Sequence, residues 1–236
     1  GAILVTTQWP EAAAREIRRV GKEERFVQVI MTPATQMPLG NVHYWPIFEA
    51  AAELGLPVAV HPGCEGTGVS NPPTSAGWPS SYFEWHSSLS QTYMAQLTSL
   101  VLEGVFQEFP RLMFVAAEGG IAWLPHLFWR LDKNWKALRE LTPWLTEPPS
   151  ATLKRHVRLT SQPIEEPEKP EHLLQIFEMI DAQDILLFSS DYPHWDGDDP
   201  RYAFPKKLDA ESRECIFWKN AAELYGLKLS AGAQPV

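Results

Sequence analysis

Three side chains that could bind a divalent metal ion or transfer a proton stand where apolar runs of the sequence end: His61, Glu118 and Asp191. The runs before them cover residues 57–60, 112–117 and 185–190. Imidazole and carboxylate groups are common metal ligands and common general acids and bases. If the runs are parallel β-strands, their carboxyl ends share one face of the fold, so residues distant in sequence can meet there. The pattern favours an active site built from strand ends.

Each of these residues also has a purely structural interpretation. Asp191 could cap the turn that follows it or pair with an arginine, because an unpaired buried carboxylate is costly. His61 could be a hydrogen-bonded histidine of the core. Glu118 could cap the helix that begins at Gly120 or Ile121. Taken together, the three endings favour a shared site over three unrelated structural roles.

The rest of the chain alternates between strand-like and helix-like patterns. Short apolar runs predict six strands, at residues 2–6, 26–31, 57–60, 112–117, 156–160 and 185–190. Apolar spacings of three and four predict helices at residues 10–20, 46–54, 82–106, 121–138, 173–180 and 215–224. This alternation predicts an α/β fold with a parallel sheet, either a doubly wound sheet or a (β/α) barrel. No Gly-x-Gly-x-x-Gly or Walker-type loop follows a strand, which argues against nucleotide binding.

Length and charge restrict the class of protein. The 236 residues, of which 44% are hydrophobic, suffice for one large domain, and we predict a single domain over residues 1–236. A net charge of -9 argues against nucleic acid or an anionic membrane surface as a partner, and leaves a small molecule as the expected ligand. No run of about eighteen apolar residues occurs, and the 2 cysteines lack Cys-x-x-Cys spacing. We therefore expect a soluble protein of the reducing cytoplasm.

Aromatic residues mark the expected substrate pocket. The chain has 10 tryptophans, and aromatic faces suit a flat or apolar substrate. A long loop rich in Gly, Pro and Ser covers residues 62–80, and loops after strands build the sites of such folds. We predict that this loop borders the pocket with Trp85, His86 and residues 192–195; ordinary helix packing is the alternative for Trp85 and His86. The predicted substrate-binding residues are Trp85, His86, Trp123, Tyr192, His194 and Trp195.

Four segments carry a resemblance to a known family. They read Pro57-Val-Ala-Val-His61-Pro-Gly, Glu118-Gly-Gly-Ile-Ala-Trp-Leu-Pro125, Phe188-Ser-Ser-Asp191-Tyr-Pro-His194-Trp-Asp196 and Asn220-Ala-Ala-Glu-Leu-Tyr-Gly226. From its first strand to Gly226 the chain resembles the amidohydrolase superfamily, and within it the branch of aminocarboxymuconate-semialdehyde decarboxylase and the resorcylate decarboxylases. The resemblance implies a distorted TIM barrel with a divalent metal ion, commonly zinc and sometimes manganese, at its C-terminal mouth. It also implies that His61 and Asp191 are metal ligands and that Asp191 handles a proton.

Two departures from the family pattern shape the expected site. The decarboxylases hold a catalytic histidine on the strand where this chain has Glu118, and we predict that Glu118 is catalytic together with Asp191. The family begins with a strand bearing His-x-His or Glu-x-His, which supplies two metal ligands, and we expect no strand of this chain to carry that pair. The domain would then be N-terminally incomplete, with six of eight βα units. With two matching ligands, the metal ion would be bound weakly or be absent.

These observations support two functions of different classes. The first is a metal-dependent enzyme that acts on a small, aromatic or cyclic substrate by hydrolysis or by non-oxidative decarboxylation. The second is a metal-free binding or scaffold protein that kept the pocket and lost the first ligands. The enzyme is the main prediction. An open barrel would expose a strand edge that self-association could cover, so we also expect a homo-oligomer.

Overall fold

The computed structural model describes residues 1–227, in which six parallel strands form one sheet whose spatial order follows the chain order. They are β1 (Ala2–Leu4), β2 (Gln28–Met31), β3 (Val58–Val60), β4 (Phe114–Ala116), β5 (Val157–Thr160) and β6 (Leu186–Leu187). Every crossover advances by one strand in the same direction, and right-handed crossovers then place all connecting helices on one face. This order is that of a (β/α) barrel rather than a doubly wound sheet, in which the direction reverses.

The six predicted strands are confirmed, and they form an open arc. Within residues 1–227, β1 and β6 are not paired with each other, so the barrel is not closed. The strands are shorter than the apolar runs that predicted them, because hydrogen-bonded pairing covers only part of each run. Residues 228–236 of the predicted domain lie outside the described residues.

Eleven α-helices occur within the described residues. They are α1 (Pro10–Val20), α2 (Trp45–Leu54), α3 (Tyr82–Ser87), α4 (Leu89–Leu102), α5 (Val105–Glu108), α6 (Leu124–Leu138), α7 (Pro149–His156), α8 (Pro170–Ile180), α9 (Ala182–Ile185), α10 (Ala210–Glu214) and α11 (Asn220–Leu224). A π-helical turn, Cys215–Lys219, joins α10 to α11. Single 3-10 turns cover Val42–Tyr44 and Arg139–Leu141. Proline lies in the first turn of α1 and α2, and Gly55 ends α2 in the left-handed conformation with φ of 67°.

One predicted helix is divided in the structure, and α7, α9 and α10 were not predicted. The helix predicted over residues 82–106 is divided into α3, α4 and α5, and the second break falls at Gly104, whose φ of 82° is left-handed. α7 was not predicted, and it includes His156, which the sequence had placed in β5. Nδ1 of this buried histidine lies 2.9 Å from the carbonyl oxygen of Leu112, just before β4. That tertiary contact, which no local pattern encodes, fixes the end of α7.

Both faces of the sheet are covered. On β3, Val58 and Val60 belong to the large core under the helices, whereas Ala59 points to the inner face, as alternation along a strand requires. The inner cluster consists of Ala59, Val115 and Leu187, with Ile30, Ala221 and Leu224 packed against it. The hydroxyl of Tyr225 donates to Oε1 of Gln28, the first residue of β2, at 2.9 Å. The segment after β6 therefore crosses the inner face to β2 and leaves the carboxyl ends of the strands free.

Candidate active site

The carboxyl ends of β3, β4 and β6 bring the three predicted side chains to one mouth. His61 follows β3 directly, and Glu118 and Asp191 follow β4 and β6 within a few residues. Nε2 of His61 lies 2.8 Å from Oε2 of Glu118. A carboxylate oxygen of Glu118 lies within 4.8 Å of one of Asp191. The predicted convergence at one end of the strands is confirmed.

Asp191 and His194 form a second contact at the mouth. Nδ1 of His194 lies 2.7 Å from Oδ2 of Asp191, with the aspartate side chain mostly buried and the histidine largely exposed. The N–H of His194 donates to the carbonyl oxygen of Asp191 at 2.9 Å, so residues 191–194 form a turn that returns the ring to the carboxylate. A carboxylate held against an imidazole near solvent can hold a proton and exchange it with water.

Three donor atoms at the mouth meet closely enough to share one metal ion. A carboxylate oxygen of Glu118, a carboxylate oxygen of Asp191 and a ring nitrogen of His194 all lie within 4.8 Å of one another. Three protein ligands with positions left for water or substrate are typical of catalytic metal sites. The predicted metal ligands were His61 and Asp191. The structure places His61 beside Glu118 but outside this group, and it adds Glu118 and His194 as candidates.

His61 is bonded on both sides of its ring. Nδ1 lies 2.9 Å from the carbonyl oxygen of Pro62, and Nε2 faces the carboxylate of Glu118. Because both partners are acceptors, the doubly protonated ring is the form that satisfies them. The contact with Glu118 is the main reason that the pKa of His61 is raised, against the opposing effect of burial. His61 therefore lies against the carboxylate of Glu118 and orients it.

Glu118 and Asp191 both occupy left-handed backbone conformations, with φ of 65° and 52°. For residues with a Cβ this conformation costs roughly 1–2 kcal/mol, so the surrounding contacts must hold it in place. The N–H of Glu118 donates to Oγ1 of Thr160 on β5 at 2.9 Å, which is one such contact. Strained backbone of this kind concentrates at functional sites, where it aims side chains that a relaxed turn would not.

The predicted residues Trp85, His86 and Trp195 lie together beside the mouth. The ring centroids of His86 and Trp195 are 5.6 Å apart, and Nε2 of His86 is 3.2 Å from Oδ2 of Asp196. This contact joins α3 to the loop that follows β6. Residues 84–86 read Glu-Trp-His, which fits Glu-x-His, but they lie on a helix and so cannot be the strand-borne metal pair of the family.

The other predicted substrate-binding residues differ in their surroundings. Tyr192 is 88% exposed and makes its ring available at the mouth. Trp123 packs against the core instead, and its Nε1 donates to the carbonyl oxygens of Gly119 at 2.7 Å and Gly120 at 3.1 Å. Trp123 thus holds the turn that carries Glu118, a contact that the sequence pattern did not predict.

The predicted border of the pocket was wrong in part. A cavity of about 520 Å³ lies between the loop after β2, residues 71–77 and α4. Residues 71–77 belong to the predicted loop 62–80, but Trp85, His86 and residues 192–195 do not line this cavity. His86 instead contacts Trp195 and Asp196, which joins α3 to the loop after β6.

Asp198, in the same loop, is expected to make the protein less stable at neutral pH. Burial, followed by the charges of Glu166 and Asp196, raises its pKa to about 6 from 3.8, so the native protein holds a proton that the unfolded chain has lost. Its contribution therefore favours folding at low pH and is lost as the pH rises from about 4 to about 6. At pH 7 we expect Asp198→Asn to stabilise the protein by about 1 kcal/mol, discounted because the side chain is partly exposed.

Urea unfolding of both proteins at pH 4 and pH 7 measures this difference. The gain in the free energy of unfolding should be present at pH 7 and small at pH 4. Asp199→Asn is the matched control, since Arg201 lowers the pKa of Asp199 to about 2. An Asp198→Asn variant that is less stable than the wild type at pH 7 would contradict the prediction.

An open parallel (β/α) arc with carboxylates and histidines at the carboxyl ends of its strands defines a protein of the barrel class with its site at the mouth. Residues 1–227 match the family model described as amidohydrolase, and the chain belongs to this family. Within the described residues, no helix is both long enough and apolar enough to cross a membrane.

The chain is also similar to individual decarboxylases. It is 26% identical to the γ-resorcylate decarboxylase of Polaromonas sp. (strain JS666 / ATCC BAA-500), over 96% of this chain and 70% of that protein. The crystal structure of 5-carboxyvanillate decarboxylase from Sphingomonas paucimobilis superimposes with a TM-score of 0.69 and 23% identity, over 95% of this chain and 66% of that one. The structure of a dihydroxybenzoic acid decarboxylase from Polaromonas sp. JS666, solved with manganese and the inhibitor 2-nitroresorcinol, superimposes with a TM-score of 0.69. Its sequence is 24% identical, and the match covers 94% of this chain and 68% of that one. These structures establish the fold, and this chain spans about two thirds of their length.

Proposed function

We propose that this chain forms the mouth of a metal-dependent enzyme that removes carbon dioxide from a small aromatic carboxylic acid without oxidation. The observation that carries the proposal is the group of Glu118, Asp191 and His194, whose donor atoms lie within 4.8 Å of one another. The similarity to a γ-resorcylate decarboxylase supports the substrate class. Family membership supports a metal-dependent reaction.

Glu118, Asp191 and His194 would hold the ion, and His61 would orient Glu118 from the other side of its carboxylate. A bound divalent ion supplies Lewis acidity that draws electrons from a substrate oxygen. Two carboxylates and one imidazole suit manganese, which is also the metal in the solved Polaromonas decarboxylase. Zinc, which the resemblance also implied, accepts the same ligands and is the alternative.

Asp191 is the residue best placed to handle the proton that decarboxylation requires. When the bond between ring carbon and carboxylate breaks, its electron pair stays on the ring carbon, which must then accept a proton. The carboxyl group of Asp191 is mostly buried and lies at the mouth, where it can deliver this proton to the ring carbon. The exposed rings of Tyr192 and Trp195 offer contact area for an aromatic substrate.

Protein loaded with manganese is expected to release carbon dioxide from dihydroxybenzoic acids. Removal of the metal with EDTA should lower the rate at least about a hundredfold, because a Lewis acid supplies several kcal/mol of charge stabilisation. Added Mn²⁺ should restore the rate. Carbon dioxide in the headspace and the phenolic product on chromatography measure the reaction.

Two results of this assay would change the proposed function. Ring opening of lactones without carbon dioxide release would replace decarboxylation by hydrolysis. Failure to bind metal together with failure to turn over any acid or lactone would support the metal-free binding or scaffold protein.

We further propose that the protein acts in the cytoplasm as a homo-oligomer and that residues 1–236 form one domain. The free thiols of Cys64 and Cys215 suit a reducing compartment. Leu4 of β1, the strand at one edge of the sheet, is 77% exposed, and a second copy could cover this edge. Sedimentation velocity decides between monomer and oligomer.

A further inference from the structure

The turn that carries Glu118 is held by a carboxylate from another part of the chain. Glu165, in the loop after β5, accepts the N–H of Ile121 with both carboxylate oxygens, at 3.1 and 3.0 Å. Its Oε1 also accepts the N–H of Ala122 at 3.0 Å. Glu165 thus bonds two successive backbone groups that lie 44 and 43 positions away in the sequence.

These two N–H groups need an outside partner because of where they lie. They belong to the turn that precedes α6, which begins at Leu124, so they lie outside the helix, and a backbone N–H group that no helix or sheet satisfies needs another acceptor. Trp123, the residue before α6, provides no side-chain cap. A carboxylate is the strongest acceptor for such groups, because the bonds are charge-assisted and the start of a helix carries partial positive charge.

The fit of Glu165 against the turn is close. Gly120 has φ of 67°, and a Cβ at this position would lie 2.5 Å from Oε1 of Glu165. On the other side of the turn, Glu118 has φ of 65° and donates its N–H to Thr160. Contacts from β5 and from the loop after it therefore hold both ends of the segment 118–122.

We propose that Glu165 is a positioning residue for Glu118: by bonding Ile121 and Ala122, it fixes the turn so that the carboxylate of Glu118 reaches the donors of Asp191 and His194. This role rests on the proposed metal site. Glu165 itself touches neither the metal donors nor the substrate in this scheme. Its effect on the site is exerted through the backbone of residues 118–122.

Replacement of Glu165 tests this role through metal affinity, without an activity assay. Glu165→Asp keeps the charge but shortens the side chain, so it should lose the bonds and weaken Mn²⁺ binding by roughly 10–100-fold, the usual effect of removing a group that orients a ligand. Glu165→Gln keeps the reach and an oxygen that can accept from Ile121 and Ala122, so it should bind Mn²⁺ much more tightly than Glu165→Asp. Titration of the free Mn²⁺ electron paramagnetic resonance signal measures the affinities.

The neighbouring Glu166, which is exposed, provides a charge-matched control. Glu166→Ala removes one negative charge from the same loop, as Glu165→Gln does. This variant should bind Mn²⁺ as the wild type does. Near-ultraviolet circular dichroism and thermal unfolding check that each variant is folded. A purely structural role would change the unfolding temperature of Glu165→Asp while leaving the Mn²⁺ affinity of its folded form unchanged, and this outcome overturns the proposal.

The remaining outcomes separate this role from the proposed function. If the wild type binds no Mn²⁺, the metal site fails and the role of Glu165 fails with it. If the wild type binds Mn²⁺ and Glu165→Asp binds it equally well, only the positioning role is refuted. If Glu165→Gln binds as weakly as Glu165→Asp, an acceptor with the right reach does not hold the turn, and the proposal is also refuted.

Discussion

Replacing Asp191 with asparagine is expected to lower kcat/KM of the protein by at least about 10³-fold, within the range found when a general acid or base is removed. Asparagine keeps the shape of the side chain but removes the charge that faces His194 and the proton that the ring carbon requires. The same change takes away one of three candidate metal ligands, so Mn²⁺ affinity should fall as well. The proton donor and the metal ligand are lost together, because both are the carboxyl group of Asp191. This substitution therefore has the largest expected effect on activity.

Steady-state decarboxylation and Mn²⁺ titration of the same preparations measure the two losses separately. Asp199→Asn is the control: this aspartate belongs to the same loop but bonds Arg201 at the surface. Its kcat/KM should stay within about twofold of the wild type, because surface pairs contribute little. Activity of Asp191→Asn close to that of the wild type would remove Asp191 from the mechanism.

Replacing Phe114 with alanine is expected to reduce the free energy of unfolding by about 3–5 kcal/mol. Phe114 is fully buried in β4, which is paired on both sides, with β3 and β5. Loss of the ring removes apolar contacts and leaves a cavity beneath the strand that carries Glu118. The position of Glu118 therefore depends on the same core that stabilises the sheet.

Chemical denaturation with urea, followed by tryptophan fluorescence, measures this loss. Phe83→Ala is the matched control, since Phe83 is 80% exposed and its removal should cost less than about 0.5 kcal/mol. Equal stabilities of the two variants would contradict the central position of β4 in the fold.

The strands of this fold could be predicted because each is a short apolar run with turn residues around it. The order of the strands followed from their alternation with helices, since consecutive parallel strands with right-handed crossovers tend to be neighbours. The same logic predicted that His61, Glu118 and Asp191 lie at one mouth. Local pattern and chain order together account for this much of the site.

Contacts between distant segments could not be predicted in this way. The sequence pattern missed the division of the helix predicted over residues 82–106. It also missed α7, because the end of α7 is fixed by a contact of His156 with the segment before β4. The predicted pocket border was wrong in part: residues 71–77 line the cavity, whereas His86 lies against Asp196 instead. The Asp-x-x-His spacing of Asp191 and His194 was the one local signal for a further metal ligand, and the sequence had assigned His194 to the substrate.

The sequence by itself determined the class of fold, the strand ends that carry chemistry and the family of the chain. These are properties of short apolar runs and of residues adjacent to them, and such patterns act over a few positions. Only the tertiary structure decided that donor atoms of Glu118, Asp191 and His194 lie within 4.8 Å of one another, that His61 lies against Glu118, and that Glu165 bonds the turn after Glu118. Those arrangements join residues that are tens of positions apart, and their distances depend on the packing of the whole core, in which many individually weak contacts set positions to within an ångström or so.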